Sequence, residues 1–84
     1  MIGKEYEKWY EENGVAESSE WYNGSCYKFV TLKDGWIGIF EYDNGIYYPL
    51  IQADSMLHAR EWCYRRERID VPITELVPRE EAYA

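Results

Sequence analysis

An α+β domain in α-β-β-β-α order is what this sequence predicts: a helix, an antiparallel meander of three or four strands, a second helix and an extended proline-bearing tail. Three observations predict it. Asn23-Gly24, Asp34-Gly35 and Asn44-Gly45 recur at nearly even intervals between apolar runs, and such pairs supply the positive φ that a two-residue hairpin turn demands. Apolar residues at helical spacing flank that region on both sides. The 84-residue length leaves room for one small domain, expected over residues 1–70, with residues 71–84 as the tail.

Residues 3–13 read as the first helix. Ile2, Tyr6, Trp9, Tyr10 and Asn13 share one side, while Glu5, Glu7, Lys8, Glu11 and Glu12 occupy the rest. Gly14 ends it. Residues 15–19 have no periodicity and are expected to form a connector. The strands follow at Glu20–Tyr22, Cys26–Lys33, Trp36–Asp43 and Ile46–Gln52. Asp54 or Ser55 caps the second helix, which runs to about Arg68 with Met56, Leu57, Ala59, Cys63 and Tyr64 on one arc. Pro72 and Pro78 keep the rest extended.

Two-residue turns set a register. Asp34-Gly35 places Leu32 opposite Ile37, Val30 opposite Ile39, Phe29 opposite Phe40 and Lys28 opposite Glu41. Asn44-Gly45 places Tyr42 opposite Tyr47, Phe40 opposite Pro49 and Ile39 opposite Leu50. One sheet face then carries Val30, Leu32, Ile37, Ile39 and Leu50. The other carries Tyr27, Phe29, Trp36, Phe40, Tyr42, Tyr47 and Ile51. Both are apolar, so each needs a cover. The second helix suits the aliphatic face; helix 1, a second copy of the chain or a partner protein would cover the aromatic one.

The net charge is −7, unevenly spread: residues 1–59 hold ten acids and four lysines, residues 60–68 net +2, and residues 69–84 net −3. An acidic domain is repelled by phosphate backbones and drawn to basic protein surfaces. No apolar run reaches the ~18 residues that span a bilayer, and the first residues lack a secretory signal's apolar stretch, so a cytoplasmic location is expected. Cys26 and Cys63 are then free thiols, and Asn23-Gly24-Ser25 reads as a turn, not a glycosylation site.

The order helix, meander, helix is similar to that of double-stranded-RNA-binding domains. In place of that family's Lys-rich start of the second helix stands Gln52-Ala-Asp-Ser-Met-Leu-His, so the likeness is of element order alone. A meander followed by a helix also resembles sheet-reading DNA-binding domains, whose solvent-facing Arg are absent from these apolar faces. In size and charge the chain resembles small acidic bacteriophage inhibitors, including many anti-CRISPR proteins.

Reaction chemistry is not in evidence. His58 is the only histidine, with Glu61 one turn away, a spacing typical of a solvated pair. No phosphate loop, nucleophile elbow or ligand set occurs, and no catalytic, cofactor or metal site is expected. Arg60, Arg65, Arg66 and Arg68 form the one basic cluster, and a helix C-terminus favours cations for its own dipole.

The leading expectation is therefore a non-enzymatic acidic protein-binding module. It would be a phage-type inhibitor whose carboxylates imitate a phosphate backbone and block a basic nucleic-acid-binding surface. Glu5, Glu11, Glu12 and Glu20 are its acidic candidates, and Trp21, Tyr22, Trp36, Tyr47 and Trp62 its aromatic ones. The alternatives are a nucleic-acid-binding module using Arg60, Arg65, Arg66 and Arg68, and a structural homo-oligomer joined through the aromatic sheet face.

Overall fold

The computed structural model describes residues 1–70; the expected tail over residues 71–84 lies outside them. The order is α1 (Gly3–Asn13), β1 (Gly14–Tyr22), β2 (Ser25–Leu32), β3 (Ile37–Asp43), β4 (Ile46–Ala53) and α2 (Met56–Arg66). Four antiparallel strands lie in sequence order, β1-β2-β3-β4, between the two helices.

Helix α1 stops at Gly14 because the backbone turns directly into β1, with Gly14 extended at φ −99°. Glycine spares a clash there: a Cβ would stand 2.6 Å from the Tyr10 ring, which would have to shift. The segment expected to be a connector thus supplies five of the nine residues of an edge strand. Residues 15–19 are exposed on both sides. A strand that buries neither face carries no alternation, which is why its sequence looked unstructured.

Asn23-Gly24 and Asn44-Gly45 both have positive φ at each residue, and form the expected two-residue turns between Tyr22 and Ser25 and between Asp43 and Ile46. The middle turn differs. Gly35 alone is left-handed, at φ 92°. The Leu32 carbonyl accepts from Gly35 N–H at 2.9 Å, and Leu32 N–H donates to the Trp36 carbonyl at 2.8 Å. Lys33 therefore belongs to a three-residue loop, and the Asp34 carboxylate holds the Trp36 N–H at 3.0 Å.

That extra residue moves β2 against β3 by one position. Phe29 faces Ile39, Val30 faces Gly38 and Lys28 faces Phe40. The expected partition into an aliphatic and an aromatic face is overturned, since a one-residue slip exchanges the faces of one strand. Tyr27, Phe29, Ile37 and Ile39 pack with Ala59 and Cys63 of α2, whereas Val30, Leu32 and Phe40 pack with Tyr6 of α1. Each helix packs on a mixed face, and the aromatic residues expected on one face, to be covered by helix 1, a second copy or a partner, are divided between the two. Between β3 and β4 the expected pairs Tyr42–Tyr47 and Phe40–Pro49 are present. A bulge then pairs Ile39 with Ile51 instead of Leu50.

Ser55 caps α2, its hydroxyl accepting from His58 N–H at 3.1 Å. The helix ends at Arg66, two residues short of the expected boundary. Ile69 N–H reaches the Tyr64 carbonyl at 2.9 Å and Arg68 N–H the Arg65 carbonyl at 3.2 Å. This is a Schellman closure with left-handed Arg68, φ 56°, where glycine is usual. Cys63 is fully buried beside it, and burial pushes its thiol up to about 12.

Candidate functional site

Because α1 sets Tyr6 against the sheet, its acids must face outward. Tyr6 stacks on Tyr47 with centroids 3.9 Å apart and rings within 3° of parallel. Glu5, Glu7, Glu11 and Glu12 are exposed, and none forms a salt bridge among the described residues. Glu5 suits the positive end of the helix. Glu11 and Glu12 stand in or beside its last turn, where no basic residue accompanies them and the backbone dipole disfavours a carboxylate.

Glu20 is placed differently from the other acidic candidates. Its carboxylate accepts from Arg60 Nη2 at 2.7 Å and Nε at 3.0 Å, and from the Tyr22 hydroxyl. The Arg60 hydrogen bonds hold it below the usual carboxylate range, aided by Tyr22 and opposed by burial. Glu17 likewise accepts from the Tyr6 hydroxyl. These two acids tie β1 to the helices on either side of the sheet.

The aromatic candidates do not assemble into one patch. Trp21 is 70% exposed and Trp36 45%, but they lie at opposite ends of β2, on the order of 20 Å apart. Tyr22 is buried, and Tyr47 and Trp62 are half-buried against the two cores. Sequence reasoning passed over Tyr48 and Ile51 on the edge strand β4, each 46% exposed. Their alternation with Tyr47 and Leu50 was the available signal.

The basic cluster is largely engaged. Arg60 meets Glu20, Arg65 meets Glu61, and Arg66 meets Glu41 at 3.0 Å as well as the Tyr27 hydroxyl at 2.6 Å. Arg65 and Arg66 also occupy the last turn of α2, where the dipole favours them. Arg68 serves the helix closure. His58 pairs with Asp54, four residues back. Among the described residues no three His, Cys, Asp or Glu side chains gather as a metal-binding group, and no helix is long and apolar enough to cross a membrane.

A scan of protein-family models finds no match to the chain, and no curated protein or solved structure matches it.

Proposed function

We propose that this chain is a non-enzymatic acidic protein-binding module whose α1 engages a basic surface on another protein. The observation that carries this reading is the placement of Glu11 and Glu12: exposed, in no salt bridge among the described residues, and at the helix end where stability disfavours them. In α2 the arrangement is the reverse, since its arginines sit where the dipole wants them and are met by carboxylates. Helix-end energetics explain Arg65 and Arg66 and leave Glu11 and Glu12 without a stabilising role. In its finer form the reading is an inhibitor, of the kind bacteriophages encode, whose carboxylates occupy the groove of a nucleic-acid-binding effector.

Affinity capture from a nuclease-treated bacterial lysate, at low and high salt, tests it. A variant with Glu5, Glu7, Glu11 and Glu12 changed to Lys runs alongside. The expected result is a basic partner retained by the native chain and lost both in salt and in the variant. Equal capture by the variant would overturn the reading, as would tight binding of nucleic acid by the native chain.

A further inference from the structure

Between α1 and β4 an open recess reaches down to the sheet. Gly38 of β3, itself buried, lies at its floor and contributes no side chain to it. A Cβ at Gly38 would stand 3.8 Å from Trp9 Cη2 and 3.7 Å from Phe40 Cε1. Met1, Trp9, Phe40, Pro49 and Gln52 line an open recess of about 220 Å³ at this position. A cavity of ~150 Å³ already accepts benzene, so one aromatic or large aliphatic side chain fits.

A second recess of about 270 Å³ shares Trp9 and Gln52 with the first and extends toward the β2–β3 loop. Its rim is charged, with Glu12 and Asp34 against Lys33. The two recesses form one groove, apolar at one end and negative at the other. The outer side of β4 runs along it. Met1 and Ile2 cover that edge at Tyr47 and Ile46, and among the described residues no strand pairs beyond them.

We propose that this groove receives an extended segment of the basic partner, in which one bulky apolar side chain is followed by Lys or Arg. The apolar residue enters over Gly38, and the cation meets Glu12 and Asp34. Charge complementarity chooses this occupant, since the polar end offers more carboxylates than amines. The inference rests on the protein-binding reading above and assigns it a recognition sequence.

The test is a titration of the full chain, followed by amide and indole N–H resonances, with the peptide acetyl-Gly-Phe-Lys-Lys-Gly-amide. Two control peptides replace Phe by Ser or both Lys by Glu. Saturable shifts at the Trp9 indole, Gly38 and Gln52, with at least tenfold weaker binding of each control, are expected. Gly38→Leu fills the apolar recess and should abolish those shifts; Glu12→Lys, which leaves the fold untouched, should weaken binding about tenfold.

Absence of shifts at those three residues with millimolar peptide would overturn the proposal. So would nuclear Overhauser contacts in the free chain between Trp9 and residues 71–84, or shifts of the groove residues that grow with protein concentration alone. Those outcomes would assign the groove to the chain's own residues or to a second copy. If the native chain and Gly38→Leu capture the same basic partner equally, the groove assignment fails while the protein-binding reading stands. Failure of capture by every variant removes that reading itself.

Discussion

Arg60 of α2 grips the Glu20 carboxylate of β1 with two nitrogens, Nη2 at 2.7 Å and Nε at 3.0 Å, across the outer edge of the sheet. The folded-state pKa of Glu20 is lowered, so between it and the ordinary glutamate value of about 4.3 the unfolded chain binds more protons than the folded one. The pair therefore stabilises fully above that window, and its contribution disappears as pH falls through it. Glu20→Gln should flatten the acid limb of a urea-unfolding series and, at neutral pH, cost about 0.5–1 kcal/mol, as partly exposed bidentate pairs do. An unchanged acid limb in the variant would contradict this.

Alkali should unfold the domain through its tyrosines. The hydroxyls of Tyr6, Tyr22 and Tyr27 donate to Glu17, Glu20 and Glu67, and burial, the larger cause, raises all three pKa values above the ordinary range. With folded values raised, their contribution is whole below about pH 10 and is lost as pH rises further. Tyrosinate absorbance should then show three of the nine tyrosines ionising together with loss of the helical dichroism. Full ionisation of a still-folded chain would refute the assignment.

Changing Glu11 and Glu12 to Lys should separate stability from binding. Each change replaces a carboxylate by a cation near the C-terminus of α1 and should stabilise by ~0.3–1 kcal/mol at low salt. Denaturant midpoints should rise while capture of the basic partner is lost. A variant that is destabilised, or that binds as before, removes the argument for a functional α1.

Arg68 holds a left-handed conformation that a side chain makes costly. Arg68→Gly relieves ~1 kcal/mol of that cost and returns part of it as backbone entropy of the unfolded chain. The net gain should be about 0.5 kcal/mol, a rise of a few degrees in Tm for a domain of this size. A fall in Tm on scanning calorimetry would mean that the Arg68 side chain has a stabilising role the closure does not reveal.

How far the sequence could be read is clearest at the turns. Asn23-Gly24 and Asn44-Gly45 were legible because their conformation depends on two residues' own φ preferences. Asp34-Gly35 looked the same, yet the Asp34 carboxylate took the Trp36 N–H and drew Lys33 into the loop. One added residue then reassigned both cores. Of the candidate surface, exposure of Glu5, Glu11 and Glu12 followed from helical period. The loss of Glu20 to Arg60, forty residues away, had no local sign.

By itself the sequence determined the α+β class, the boundaries of α1, two of the three hairpins, a cap at Asp54 or Ser55 and the acidic outer face of α1. These depend on contacts within a turn or two of chain, where propensity and period act directly. Only the tertiary structure decided that the first strand begins at Gly14, which residues share a face, and that Trp9 lies over Gly38 beside a recess. Each of those rests on what lies opposite. A strand edge, a register and a gap are properties of pairs of segments, and their energies come from neighbours remote in the chain.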